Sequence, residues 1–328
     1  MAVLPKPPPP SATLQQAAAH AWHTHGAGSQ APLAVAYSGG ADSTALLLAA
    51  CAARPGQVVA LHVNHQLQPA ASQFEQHVRH CCHAWGVPLQ VLAVNAQAAP
   101  GQSPEEAARD SRYLALAQAA AHAGAAQVWL GQHADDQAES LLLALTRGAG
   151  LAGLAAMPER LQRHGCTFVR PLLQWPGAAL RAEVEQAGAP YVNDPTNTDT
   201  QRTRNRLRHQ VLPALLQAFP QARQTLARSA RHAAQAQALL SELAASDMQH
   251  GGHPPASAAL QALSPARQAN VLRHWLHAHC AARASTAQLH ALQHQLQACR
   301  TAGHRIDLKV GHGHVRRQGT VLRYVPLL

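Results

Sequence analysis

The 328-residue sequence is short of lysine, of aromatic side chains and of long apolar runs, and each shortage excludes something. Its only lysines are Lys6 and Lys309, so it holds no glycine-rich loop closing on Gly-Lys-Ser or Gly-Lys-Thr, and a Walker-type ATPase is ruled out. Aromatics make up 4% against 47% hydrophobic residues, so any core is built mainly from Ala, Leu and Val. No stretch of eighteen apolar residues occurs, which removes a membrane-spanning helix and a membrane partner. The six cysteines (51, 81, 82, 166, 280 and 299) contain no C-x-x-C pair; reduced structural thiols in a cytoplasmic protein are the expectation. The amino end, MAVLPKPPPPSATLQQ, lacks the apolar centre of a signal peptide, and residues 1–12 read as a disordered, Pro-rich lead.

What is present is unevenly charged. Residues 1–150 carry six Lys/Arg against eight Asp/Glu, a net of −2; residues 151–328 carry twenty against eight, a net of +12. A codon bias towards arginine would act on both halves alike. A near-neutral half joined to a basic one instead points to a polyanionic partner, RNA first. The length suits two domains, a catalytic one over 13–218 and a helical, basic one over 219–328, with the boundary near Phe219-Pro220.

Along the chain, apolar runs at 34–37, 57–63, 88–94 and 127–130 alternate with helical patterns at 11–26, 45–51, 74–86, 104–123 and 134–147. Such alternation predicts an α/β fold, a doubly wound parallel sheet covered on both faces. Ser103-Pro104-Glu105-Glu106 is a helix start. Residues 146–177, with their glycines and prolines, read as loops capping the sheet. A short helix over 180–187 and a polar, turn-rich stretch over 191–203 follow. Amphipathic patterns cover about 207–246 and 256–298, and Arg305–Tyr324 alternates as a β-hairpin would.

The most informative string is AVAYSGGADSTALLL, Ala34–Leu48. A buried strand breaks at Ser38-Gly39-Gly40 and restarts as a helix after Ala41-Asp42-Ser43. Free backbone N–H groups at the positive end of a helix, with glycines allowing close approach and serine hydroxyls adding donors, make a phosphate site. An ordinary bend in an Ala-rich protein explains Gly-Gly alone, but not the whole string. Asp42 suits a magnesium ion or a substrate group, since Mg²⁺ pairs one or two carboxylates with phosphate oxygens. Ser38, His65 and His133 all fall at predicted strand ends, where ligands bind in such sheets.

Gln132–Ser140, QHADDQAES, places Asp136, Glu139 and Ser140 on one helix face. Acids in a first turn complement the helix dipole; beside a phosphate loop they also suit magnesium or an ammonium group. In EAARDSRY, Arg109 and Arg112 form either a solvated ion-pair face or forked donors to phosphate. The run Arg202-Thr203-Arg204-Asn205-Arg206-Leu207-Arg208 is the densest basic spot and fits RNA phosphates. The 23 histidines give no convincing four-ligand set, and zinc is not expected.

Taken in order, SGGADS, HVNHQLQ, EEAARDSRY, HADDQAES, LTRGAGLAGLAAM, VRPLL and NDPTN…RTRNRLRHQVLP resemble the tRNA(Ile)-lysidine synthetase family of ATP pyrophosphatases, strongly over about 33–217 and weakly beyond. SGGADS marks only the pyrophosphatase superfamily; the DPTN…RNRLR…LP segment discriminates. Gln132 departs from the family's usual histidine, and Arg202 from its usual aromatic. The resemblance implies ATP and Mg²⁺ as cofactors, and an isoleucine tRNA with a CAU anticodon and free L-lysine as partners. A homodimer is left open. It places nucleotide binding at Ser38, Gly39, Gly40, Ala41, Asp42, Ser43, His65 and His133, and catalysis at Asp42, Asp136, Arg109 and Arg112. Asp135, Asp136 and Glu139 would bind lysine, Arg202, Arg204, Arg206 and Arg208 the tRNA, and Asp42 the magnesium. A tRNA-thiolating pyrophosphatase and a non-catalytic ATP-binding regulator are the alternatives. The missing cysteine pairs count against the first, the acidic cluster and basic half against the second.

Overall fold

Short apolar strands and Ala-rich helices alternate through the first half of the computed structural model, which describes residues 6–26, 28–64, 71–94, 104–194, 196, 199–201, 203–299 and 304–327, with backbone alone at 71 and 104–106. The order is α1 (Ala12–Gly26), β1 (Leu33–Ala36), α2 (Ala41–Ala53), β2 (Val58–Asn64), α3 (Ala71–Trp85), β3 (Leu89–Ala93), α4 (Pro104–His122), β4 (Gln127–Trp129) and α5 (Ala134–Thr146). The helix start at Ser103 lies outside the described residues. Contacts divide the chain into two compact units, Met1–His232 and Ala233–Leu328; Phe219-Pro220, named above, lies ahead of this division.

The first unit is built on a six-stranded sheet of order β3-β2-β1-β4-β6-β5. β1, with the sequence LAVA, pairs in parallel with β2 on one side and β4 on the other. It is apolar throughout because both of its faces are covered. Leu33 and Val35 face a core filled by Leu14 and Ala18 of α1, Leu46 and Leu47 of α2 and Val78 of α3. Ala34 faces the opposite core, with Leu116 and Ala120 of α4. This is the doubly wound arrangement the alternation predicts.

Residues 146–177 correct the sequence reading. After the turn α6 (Leu151–Leu154) come two strands, β5 (Arg160–Arg163) and β6 (Cys166–Val169), rather than loops alone. β6 joins β4 in parallel, and β5 closes the edge antiparallel to β6. Their hairpin turns at His164 and Gly165, both with positive φ (49° and 74°), as a tight two-residue connection demands. Each strand is four residues long and β5 is mostly polar, so neither produces a periodic signal. Helix α7 (Gly177–Gln186) then returns to the α2 side of the sheet.

Beyond the turn-rich 191–201 the chain is helical. α8 (Thr203–Arg206) runs through a π-helical stretch, Leu207–Val211, into α9 (Leu212–Ala218), and α10 (Ala222–Gly251) follows. The second unit adds α11 (Ser257–Gln261), α12 (Pro265–Cys280) and α13 (Thr286–Ala298). Its last strands, β7 (Asp307–Val310), β8 (Gly313–Gln318) and β9 (Val321–Pro326), form an antiparallel sheet, so the expected hairpin has a third strand. Leu272 and Trp275 pack there with Leu292, Val310, Val315 and Leu322. None of the described helices is long and apolar enough to cross a membrane.

Leu47 is fully buried beneath β1. Leu47→Ala should therefore lower the stability of the first unit by about 2–5 kcal/mol, measured by urea denaturation followed by circular dichroism.

Candidate active site

The strand order reverses at β1: β2 and β3 lie on one side, β4 on the other. Loops leaving the carboxyl ends of β1 and β4 therefore diverge and leave a crevice, the usual ligand position in such sheets. Ser38–Ser43 occupies one lip. Ser43 Oγ donates to the Gly40 carbonyl at 3.0 Å and accepts the Ser38 N–H at 3.2 Å, while the two serine hydroxyls lie 3.0 Å apart. Gly39 has φ +86°, and a Cβ there would press on His77 and Val78 at 3.1 Å, so glycine is needed for both backbone and space. Its carbonyl accepts from Val192 N–H at 2.9 Å, which braces the loop from outside. Gly40 caps α2 and brings no side-chain acceptor, so the first-turn N–H groups of the helix are available to an anion.

The other lip follows β4. Gly131 lies against the Asp42 backbone; a Cβ there would stand 3.3 Å from the Asp42 carbonyl oxygen, so glycine lets the two lips meet. His133 then caps α5 in a capping box, with its own N–H donating to Asp136 Oδ2 at 3.1 Å. Its buried ring lies 3.5 Å from each of three carboxylates: Nε2 from Asp42 and Asp136, Nδ1 from Asp135. Burial opposes a charge on this ring, but hydrogen bonds to Asp135 and Asp42 and the field of Asp136 outweigh it, and the pKa is pushed up to about 10. The Asp135 N–H also approaches Nδ1, at 3.3 Å, a bond that requires Nδ1 to be bare. Three carboxylates against one long amide contact favour the imidazolium.

Each deeper acid has a cationic partner. Asp135 accepts from Gly177 N–H at 2.7 Å and from Arg223 Nε. Burial would raise its pKa, yet His133, Gly177 and Arg223 together hold it well below the usual carboxylate range. Gly177 must be glycine, since a Cβ would stand 2.9 Å from the His133 ring. Arg208 bridges two acids, Nε to Glu139 Oε1 at 2.6 Å and a terminal nitrogen to Asp136 Oδ1 at 3.0 Å. The Glu139 side chain is 1% exposed and its pKa is raised by burial, which Arg208 only partly offsets. Among the described residues, Glu139 Oε2 and Ser140 Oγ, both buried, find no hydrogen-bond partner. Asp42, 43% exposed, forms the open rim.

Beside this cluster, among the described residues the guanidinium of buried Arg170 meets neutral acceptors: Gln132 Oε1 at 2.9 Å, Tyr113 Oη at 2.7 Å and the Pro158 carbonyl at 2.5 Å. Burial pulls its pKa down. Because arginine only donates, the contact fixes which end of the Gln132 amide faces it.

The structure thus brings Ser38, Gly39, Gly40, Ala41, Asp42 and Ser43 together with His133, Asp135, Asp136 and Glu139. Arg208, expected on an RNA-facing surface, lies instead inside the acidic cluster. Arg204 and exposed Arg206 are on the same helical run. Arg109 and Arg112 are exposed on α4, where the charge of Arg109 acts on Arg170 and Arg112; the cluster described here does not include them. His65 and Arg202 lie outside the described residues. Sequence reasoning missed Arg223 and Gly177, which no local pattern marks, and quoted Arg170 within VRPLL without a role. Among the described residues no group of three or more His, Cys, Asp or Glu could hold a metal ion, and all six cysteines are free.

Comparison with known proteins adds three findings. A model described as a PP-loop domain matches residues 11–215, and one described as the TilS substrate binding domain matches 256–322. A tRNA(Ile)-lysidine synthase of Polaromonas naphthalenivorans is 58% identical over 296 residues, 90% of each chain. That of Bordetella bronchiseptica is 41% identical over 86% of this chain and 85% of its own. That of Burkholderia pseudomallei is 44% identical over 83% of this chain but only 57% of its own length. Among solved structures, the U34-tRNA thiolase NcsA from Methanococcus maripaludis is similar in fold, with a TM-score of 0.57 at 14% identity, covering 67% of this chain and 77% of that one.

A raised His133 pKa has a stability signature. Protonation of the ring favours the folded state fully below its ordinary 6.5, and that gain disappears as the pH climbs through about 10. The stability advantage of the natural protein over His133→Gln, followed by chemical denaturation, should shrink across that interval; an advantage constant with pH would contradict the charged ring.

Proposed function

The chain belongs to the tRNA(Ile)-lysidine synthase family, and from that premise we propose that it converts the wobble cytidine of an isoleucine tRNA with a CAU anticodon to lysidine at the crevice between β1 and β4. The observation that carries this reading is the meeting of an anion-binding loop, Ser38–Ser43, with the acidic group around His133 across one crevice. Such a pairing suits a nucleoside triphosphate on one side and an amine on the other.

In this reading the phosphates of ATP lie on the N–H groups at the start of α2. The cytidine carbonyl oxygen attacks the α-phosphorus, the bond to the bridging oxygen breaks, and pyrophosphate leaves. The loop's N–H groups and the helix dipole stabilise the charge that develops on it. The ε-amine of lysine then attacks the activated base carbon and displaces AMP. That amine is an ammonium at neutral pH, so an acceptor must take a proton before attack. Asp136 and Glu139 suit that part, Glu139 because burial raises its affinity for protons. The exposed carboxylate of Asp42 at the loop's rim fits a magnesium ion that takes its other ligands from phosphate oxygens and water. Such an ion would neutralise charge on the triphosphate. Basic residues beyond 150 would hold the RNA backbone, Arg204 and Arg206 among them, on the helical run that also carries Arg208.

Incubating the purified chain with tRNA(Ile), ATP and lysine should yield one AMP and one pyrophosphate per lysine incorporated, and no incorporation should occur if any one component is omitted. Dependence on a sulfur donor instead of lysine would replace the proposal with thiolation. Asp136→Asn should lower turnover by about 100-fold or more while leaving the circular dichroism spectrum unchanged.

A further inference from the structure

Arg208 makes the contacts that an amine substrate would want. Its guanidinium bridges Glu139 Oε1 and Asp136 Oδ1, two of the acids proposed above for the lysine ammonium. Resting on that proposed reaction, we propose that Arg208 and the lysine ammonium compete for this one pair of carboxylates, and that lysine enters when an RNA phosphate draws the guanidinium away.

Four observations support the competition. First, the fit favours exchange. A guanidinium is a flat fork, whereas an ammonium has three donors in a tetrahedron. Arg208 uses two carboxylate oxygens and leaves Glu139 Oε2, buried and without a partner among the described residues, unserved. An ammonium seated between the same acids has a third donor for it. Second, Arg208 is the more accessible partner. The Glu139 side chain is 1% exposed and that of Arg208, hydrogen-bonded to it, 35%. Third, Asp135 is committed elsewhere: it holds Arg223 and the Gly177 N–H and lies against His133.

Fourth, Arg208 sits where the helical run departs from α geometry. It lies in the π-helical stretch Leu207–Val211, inserted between α8 and α9. Single π turns recur at functional sites. A return to α-helical spacing would swing the side chains of that turn by about 100° around the axis. Exposed Arg206 stands on the same run, so a guanidinium leaving the acids would join a second arginine able to meet a phosphate backbone. RNA and lysine then bind with positive coupling, and the amine is admitted only beside the base it is to modify.

The test is calorimetric titration of lysine into the full chain, with and without an anticodon stem-loop of tRNA(Ile), for the natural protein, Arg208→Gln and Arg208→Lys. For the natural protein RNA should tighten lysine binding by about tenfold or more, and lysine should tighten RNA binding by the same factor, since coupling is reciprocal. Arg208→Gln should bind lysine without RNA about as tightly as the natural protein does with it. Arg208→Lys, which keeps a cation on the acids, should retain most of the coupling. A purely structural Arg208 would weaken lysine binding when removed. Lysine affinity in Arg208→Gln that is unchanged or weaker, or a natural protein whose lysine affinity ignores RNA, overturns the competition. Should Arg208→Gln not fold, the size of the coupling in the natural protein and its retention in Arg208→Lys decide. Lysine-dependent AMP release from the natural protein, assayed in parallel, separates the two claims: where release is present and coupling absent, the competition alone falls.

Discussion

One imidazole ties the candidate site together. His133 is the cap of α5, and its ring lies within 3.5 Å of Asp42 from the other lip and of Asp135 and Asp136 from its own helix. Carboxylates so close repel one another, and a cation among them offsets that repulsion. The ring therefore does for the two loops what a sheet hydrogen bond does for two strands. Gly131 and Gly177 matter for the same reason, each removing a side chain that would hold the lips apart or push the ring aside.

Charge compensation extends outward in the same way. Counting Asp42, Asp135, Asp136 and Glu139 against His133, Arg208 and Arg223 leaves one negative charge, and that surplus stands at the rim, where Asp42 meets solvent. Interior acids are neutralised from within the first unit, and the arginines doing so come from the helices after residue 203. Residues remote in sequence are thus required to make the acidic corner of a β-strand edge tolerable. Arg170 shows the complement, a buried cation satisfied by dipoles alone, and its neutral partners tie the end of β4 to α4 and to the segment before β5.

Much of this was legible in the sequence because it is local. The break of an apolar strand on Ser38-Gly39-Gly40, and the acids opening α5, are written in contiguous residues whose backbone needs are specific. Four parallel strands followed from length and apolarity. What escaped notice depends on distance. β5 and β6 are too short and too mixed to carry a period, and their place in the sheet comes from pairing with β4. Arg223 resembles any other arginine on an amphipathic helix until folding brings it to Asp135. The arginine-rich run at 202–208 announced charge but not direction, since the acids that Arg208 meets lie some seventy residues away in sequence.

The edge of the main sheet bears on how copies of this chain can meet. β5 leaves one side of its backbone unpaired, the usual route by which two sheets fuse into one. Its four residues begin and end with arginine. In a symmetric antiparallel junction Arg160 of one copy would sit opposite Arg163 of the next, twice over, and like charges facing each other across strands oppose pairing. The Asp110 carboxylate on Arg163 reduces that opposition, with Arg160 left to sustain it. The hairpin that sequence patterns fail to announce thus ends the sheet with an electrostatic guard against its own continuation.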